Sequence, residues 1–263
     1  MKPVFVLAGQ GIHCERESAA AYRAVGLDVE IVPLAHLFEA RRSVRECALL
    51  HLPGGFSYGD QLGAGLVLAN RLRHARLPEG STLFEQIVRF VRDGGFVVGI
   101  CNGFQVLVRT GLLPNLGGVH EVEAALLPNA QEVFEDRWVQ LHARGKTLAL
   151  GALSLPVRHG EGRLVFRSRA HAEAVQTAGL ILMQYASCSR ASAPAQECYP
   201  ANPNGSWLDA AGLCDPSGRV IGLMPHPEAA LWPELHPRWT RGAGSADGLR
   251  WFRALAAHME SRA

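Results

Sequence analysis

Two short stretches of this sequence hold residue types suited to nucleophilic chemistry. The first is Gly99-Ile100-Cys101-Asn102-Gly103, a G-x-C-x-G run between the apolar stretch FVVGI and the helical stretch NGFQVLVRTG. A nucleophile placed between a strand and a helix sits on a tight turn, and small flanking residues let the backbone fold that sharply. The following helix points its first N–H groups at the sulfur, and their partial positive charge favours the thiolate. The same groups favour an oxyanion developing on a substrate. A buried structural cysteine is the plainer alternative. Strand, elbow glycines and helix together favour the nucleophile. Cys14, Cys47, Cys188, Cys198 and Cys214 lack that setting.

A thiol nucleophile needs a base, and the base needs a group to orient it. Gly222-Leu223-Met224-Pro225-His226-Pro227-Glu228 offers both. The prolines push Met224 and His226 into extended conformation. Residues two apart in an extended segment face one side, so His226 and Glu228 can touch. A lone His beside a Glu is more often a packing feature, and Cys101 is what gives the pair meaning. H-x-E also occurs in zinc deaminases, but the downstream P-C-x-x-C they need is absent. No His/Cys/carboxylate cluster has metal-ligand spacing, so the expectation is no metal. Leu52-Pro53-Gly54-Gly55-Phe56-Ser57-Tyr58-Gly59-Asp60 follows another apolar run. Glycines there permit close approach of backbone to a ligand. A free N–H in that turn, with that of Asn102, could form an oxyanion hole; taken alone, the run reads as a plain turn. Gly145-Lys146-Thr147 ends like a P-loop, but Gln140 stands where its first glycine belongs. Gly9-Gln10-Gly11 lacks the third glycine of a dinucleotide fingerprint. Neither route predicts ATP binding.

These residues must be carried by something. Residues 3–8, 28–33, 47–52 and 96–100 read as short apolar strands. A helix is expected from Cys14 to the stop at Gly26, and another after a capping box at Thr82 and Glu85, ending at Gly94-Gly95. A third runs from Asn102 to the stop at Gly111. Strands separated by helices imply parallel pairing, with ligands outside the carboxyl ends of the strands. WVQLHA, TLALGALSLPV, RLVFRS and LILMQYA make the second half richer in strand-like runs. Helical spacing resumes at Leu249, Phe252, Leu255 and Ala256, and loops are expected at 187–195 and 201–205.

With 48% hydrophobic and 19% charged residues, the 263-residue chain can bury a sizeable core. Twenty-six basic against 24 acidic residues leave a net charge of +2, which gives no ground for a nucleic-acid or anionic-membrane surface. No apolar run approaches the roughly 18 residues that cross a bilayer. The opening MKPVFVLAGQG reads as a first strand rather than a secretion signal. Six scattered cysteines without a C-x-x-C pair are then expected to be reduced thiols in a cytoplasmic protein.

In this order the pieces resemble a known family. GIHCERE (11–17), LPGGFSYGD (52–60), GICNGFQVLVRTGLLP (99–114), HGEGR (159–163), YPANPNGS (199–206) and GLMPHPE (222–228) are similar to stretches of the class I, triad-type glutamine amidotransferases. Within these, FSYGD, HGEGR and NPNGS resemble the glutaminases of phosphoribosylformylglycinamidine synthase in purine biosynthesis. The resemblance implies a single domain over 1–263 with a flavodoxin-like α/β fold, a mostly parallel central sheet and helices on both faces. It implies Cys101 as nucleophile, His226 as base and Glu228 as its orienter, with backbone N–H groups around Gly55 and Asn102 holding the oxyanion. Gly54, Phe56, Gln105, His159-Gly160-Glu161 and Asn204-Gly205-Ser206 would hold the substrate, L-glutamine. The chain itself would carry no cofactor. Ammonia would pass to a synthetase partner, with or without a small third subunit, that uses ATP and Mg²⁺ to convert formylglycinamide ribonucleotide to formylglycinamidine ribonucleotide. Beginning at Met1, a chain of this length looks like the separate glutaminase subunit. His13, Arg158 and Ala229 depart from the family pattern, which expects Asn, a small residue and Arg there. The rival readings are another Cys-His-Glu hydrolase, such as a γ-glutamyl hydrolase, and an inactive regulatory chain on the same scaffold.

Overall fold

The structure, a computed structural model, describes residues 2–144, 147–186 and 199–262. In chain order its elements are β1 (Val4–Ala8), α1 (Glu15–Ala24), β2 (Val29–Pro33), α2 (Leu34–Phe38), β3 (Leu49–Leu52), α3 (Leu66–His74), α4 (Leu83–Arg92), β4 (Phe96–Ile100) and α5 (Asn102–Arg109). After these come β5 (Ala124–Leu127), β6 (Glu135–Ala143), β7 (Ala152–His159), β8 (Arg163–Phe166), α6 (Arg169–Thr177), β9 (Ile181–Tyr185), β10 (Ala210–Cys214), β11 (Val220–Leu223) and α7 (Asp247–Glu260). Nine strands form one sheet in the order β2-β1-β3-β4-β11-β10-β9-β6-β7. The first five pair in parallel, and β10, β9, β6 and β7 continue the sheet antiparallel. The first half of the sequence thus builds a parallel α/β core, as its alternating pattern predicts, and the strand-rich second half extends it.

Every residue of β3 and β4 is buried, the mark of strands covered on both faces. The register pairs His51 with Val98 and Leu52 with Gly99. His51 bonds Tyr22 and Ser18 of α1, so that face lies under α1. On the other face, a Cβ at Gly99 would meet Gly103 and Leu107 of α5 at 2.6–2.7 Å. Helix α1 packs against α7, and α3 against α4 and α5. Helix α4 shows why the sequence folds so: Leu83, Ile87 and Phe90 turn one stripe to the core. The reciprocal Thr82–Glu85 capping box satisfies its first amides. Each such fully buried Leu, Ile or Phe stabilises the fold by roughly 1.5–3 kcal/mol.

Two expected strands are drawn differently. The run TLALGALSLPV enters β7 only at Ala152, because Leu148 turns into the core and the Leu150 amide bonds back to the Leu148 carbonyl. RLVFRS yields β8, which leaves the main sheet to pair with β5. The loop expected at 187–195, together with Gly145 and Lys146 of the P-loop-like run, lies outside the described residues. Among the described residues no helix is long and apolar enough to cross a membrane.

Candidate active site

Three adjacent parallel strands, β3, β4 and β11, end at one edge of the sheet, and the candidate residues follow directly on those ends. Cys101 comes after β4, and its amide donates to the Leu223 carbonyl at the end of β11 at 2.8 Å. Its backbone is held at φ 50°, ψ −105°, a conformation costly for a residue with a Cβ and typical of functional turns. The flanking glycines make that elbow possible. A Cβ at Gly103 would stand 1.9 Å from the Leu52 carbonyl oxygen, and one at Gly99 would stand 2.6 Å from Gly103. Helix α5 thereby sits close on the sheet with its N-terminus at the sulfur. Cys101 is 6% exposed and its thiol donates to the Arg158 carbonyl at 3.6 Å.

His226 stands beyond β11, and its amide donates to the Pro156 carbonyl of β7 at 2.8 Å. Its Nδ1 meets Glu228 Oε1 at 2.5 Å, with both side chains buried. Burial works against charge on either group. The carboxylate, followed by Cys101, overrides it and raises the His226 imidazolium well above the usual histidine range. The same pairing holds Glu228 below the usual carboxylate range. Nε2 of His226 is buried with no aligned protein partner among the described residues. One point in space relates the groups: a Cβ at Gly54 would lie 2.7 Å from His226 Cε1, 3.2 Å from Cys14 Sγ and 3.4 Å from Cys101 Cβ. Only a residue without a side chain lets imidazole and thiol converge there. The sequence-expected triad is thus brought together.

The expected oxyanion groups flank the sulfur. Asn102 opens α5, so its N–H has no place in the helical ladder. Gly55 (φ 138°) is pinned by an antiparallel bridge to Ile12. The Phe56 amide donates to the Gly11 carbonyl, and the His13 and Cys14 amides converge on the Gly54 carbonyl, while the Gly55 N–H donates to no backbone acceptor among the described residues. The Asn102 side chain ties the two segments, accepting from the Ser57 amide at 3.1 Å and donating to Gln105 Oε1 at 3.0 Å.

The expected substrate residues divide into two kinds. Phe56 is half-exposed, and Glu161 is partly exposed. His159, Asn204 and Ser206 are buried in a polar network instead. His159 meets Asn129 at 3.0 Å, Asn204 donates to the Tyr185 hydroxyl at 3.1 Å, and Ser206 Oγ donates to the Gly162 carbonyl at 3.2 Å. Burial pushes His159 down to about 3, so its ring is neutral. Such side chains act by fixing the 159–162 turn rather than by facing a ligand. Gly160 lies in that turn, and Gly205 takes φ 78° to bend the 202–206 loop around the Asn202 side chain. Gln105 is buried too, donating to the Glu161 carbonyl at 2.6 Å. Arg109 and the Ala64 amide hold the Glu161 carboxylate.

The three departures do not disturb these contacts. Arg158 contributes only its carbonyl to the site, and its half-exposed side chain pairs with Asp136. His13 stacks edge-on against Phe56, with centroids 6.1 Å apart. Ala229 closes the turn after His226 through its amide. Cys14 is a participant that sequence reasoning overlooked, since its thiol lies beside His226. The available signal was its place just past the carboxyl end of β1, next to β3. Asn129 and Tyr185 were overlooked as well, having no motif of their own, and so was Asn202, although it opens the NPNGS run.

Among parallel α/β folds, a Cys–His–Glu set on adjoining strand ends in this chain order is the mark of the triad glutamine amidotransferases. Residues 1–259 match the CobB/CobQ-like glutamine amidotransferase domain family. Phosphoribosylformylglycinamidine synthase subunit PurQ of Dehalococcoides mccartyi is 37% identical over 251 residues, covering 93% of this chain and 90% of its own. The PurQ subunit of Methanococcus maripaludis strain S2 is 34% identical over 242 residues, covering 90% and 85%. A chain of the PurLQS structure from Thermotoga maritima superimposes with a TM-score of 0.69 at 27% identity, over 98% of this chain and 99% of that one. The chain belongs to the PurQ family of glutamine amidotransferases.

Proposed function

We propose that this chain, as one amidotransferase domain, hydrolyses L-glutamine at Cys101 and passes the ammonia to a synthetase that turns formylglycinamide ribonucleotide into formylglycinamidine ribonucleotide. The observation that carries the reading is the strained Cys101 elbow facing an imidazole already paired with a buried carboxylate. The Cys101 sulfur attacks the side-chain carbonyl carbon of glutamine, its proton passing to His226 Nε2. The N–H groups of Gly55 and Asn102 receive the oxyanion. As the tetrahedral species collapses, His226 returns the proton to nitrogen and the carbon–nitrogen bond breaks, releasing ammonia and leaving a thioester. Water, deprotonated by His226, then cleaves the thioester to glutamate and restores the thiol. Glu228 holds the ring and stabilises its charged form throughout. Donors fixed in place before the reaction lower the barrier most, because nothing must reorganise as charge develops.

The proposed partners are a PurL-like synthetase, which would carry the ATP and Mg²⁺, and a small PurS-like subunit, a reading supported by the PurLQS structure that holds a similar chain; the proposed location is the cytoplasm. The Cys101→Ala variant of the assembled complex tests the reading. Glutamine-dependent product formation is expected to vanish while ammonia-dependent formation stays at the wild-type rate. Surviving glutamine use would remove Cys101 from the role. Parallel assays with γ-glutamyl peptides separate this reading from a γ-glutamyl hydrolase, which would prefer them.

A further inference from the structure

His51 is a buried titratable group that the mechanism leaves unused. It stands in β3, a strand buried throughout and otherwise all leucine, where an apolar side chain is the ordinary choice. His51, Ser18 and Tyr22 are each 0% exposed. Burial brings the His51 imidazole down to about 4, so the ring is neutral. One ring nitrogen meets the Tyr22 hydroxyl at 3.0 Å and the other meets the Ser18 hydroxyl at 3.1 Å, which satisfies both. Apolar groups in place of all three would cost little stability, so stability alone does not explain the trio. Helix α1, which carries both hydroxyls, reaches the triad at two places. Just before its first turn stands Cys14, whose thiol, a nitrogen of His226 and a carboxylate oxygen of Glu228 lie within 4.8 Å of one another. The helix also packs against the turn Pro227–Ala229. Glu228 needs that support: its Oε1 is taken by His226, and its Oε2 is buried without an aligned partner among the described residues. The Glu228 charge acts on both Tyr22 and His51, as charges sharing one low-dielectric region do.

We propose that His51 is a positioning residue for glutamine hydrolysis: by bonding Ser18 and Tyr22 it fixes α1 on β3, and α1 in turn fixes the His226–Glu228 pair. Two directional bonds set where α1 lies along the strand, whereas apolar packing alone leaves the helix room to shift. A shifted α1 carries the 227–229 turn with it and turns the imidazole away from Cys101. His51 itself exchanges no proton with the substrate. The inference rests on the glutaminase reading of the triad, and its assays separate the two.

The test compares His51→Leu with the triple variant Ser18→Ala, Tyr22→Phe, His51→Leu in the assembled complex. His51→Leu leaves two hydroxyls buried and unpaired and should melt below wild type; the triple variant, with no stranded polar group, should melt close to it. Glutamine-dependent kcat should nonetheless fall about tenfold or more in both, with KM within about twofold, because reacting groups feel even a misplacement below about 1 Å. Ammonia-dependent formation should not change. Alkylation of Cys101 by iodoacetamide, mapped by mass spectrometry, should slow in parallel, since an imidazole held beside a thiol promotes its reaction. Tyr22→Phe deletes one hydroxyl and keeps the ring against Phe252; it should show the same loss in kcat alone, in smaller measure, and it decides the matter if the triple variant fails to fold. Wild-type kcat and alkylation in the triple variant, kcat losses that follow melting temperature across the variants, or an unchanged kcat in Tyr22→Phe would each overturn the inference. A wild-type complex that ignored glutamine would instead sink the glutaminase reading, and the alkylation rates would still judge His51.

Discussion

Gly54→Ala puts the convergence of imidazole and thiol to a direct test. The added methyl would stand 2.7 Å from His226 Cε1, where ordinary contact begins at 3.4 Å, so the ring must retreat by about 0.7 Å. The ring is buried and tied to Glu228 on its far side, so its retreat strains that bond or tilts Nε2 away from Cys101. A misplacement near 1 Å costs a reaction about 10²-fold, and the expected loss in glutamine-dependent kcat/KM is therefore roughly 10- to 100-fold. Folding should survive. Gly54 lies outside the left-handed region, so alanine fits its backbone and gains about 0.4–1 kcal/mol from the unfolded chain, against an overpacking cost of about 1–3 kcal/mol. A net loss of about 1.3 kcal/mol lowers Tm by roughly 3–5 °C in a chain of this size. The assay compares glutamine- and ammonia-dependent product formation by the complex, alongside a thermal melt of the chain. A variant with wild-type kcat/KM for glutamine would show that His226 does not work from this position.

The pairing of His226 with Glu228 makes a pH-dependent contribution to stability. A raised histidine holds its share below its ordinary value of 6.5 and loses it as pH climbs through the folded value, whereas a lowered carboxylate holds its share above 4.5 and loses it as pH falls through the folded one. The stability gap between wild type and Glu228→Gln, read from urea melts, should thus be widest between pH 4.5 and 6.5 and narrow on both sides; a flat difference would contradict the pairing. Ser206→Ala leaves the Leu164 amide without its partner, so a loss of about 1–3 kcal/mol with a raised glutamine KM is expected, and an unchanged KM would dissociate this network from substrate binding. Thr82→Ala removes a cap remote from the cleft and should cost about 1 kcal/mol with glutamine turnover unaltered, which a melt and a rate assay together check.

Legibility in the sequence tracked how local the physics was. The Cys101 elbow, the Thr82 cap and the stops at Gly26 and Gly111 are local, and each stands where its residues predict. The His226–Glu228 contact was readable because two prolines and a two-residue spacing determine it. What depends on remote partners was not readable. Strand β10, AAGLC, has too little branched character to announce itself, yet the sheet passes through it. Departure of β8 to pair with β5 rests on contacts far along the chain. The burial of His159, Asn204 and Ser206 emerges only once the loops at 129, 159 and 204 interlock. Cys14 became visible when β1 and β3 lay side by side, bringing Gly54 between the Cys14 sulfur, the Cys101 Cβ and the His226 ring.

The Leu223 carbonyl under Cys101, the Pro156 carbonyl under His226 and the Arg158 carbonyl at the sulfur are all main-chain atoms. A machine bolted together through its peptide groups leaves its outward letters free to drift. At position 158, for one, any side chain can stand where the Arg158 guanidinium now pairs with Asp136, and the carbonyl that meets the sulfur stays in place.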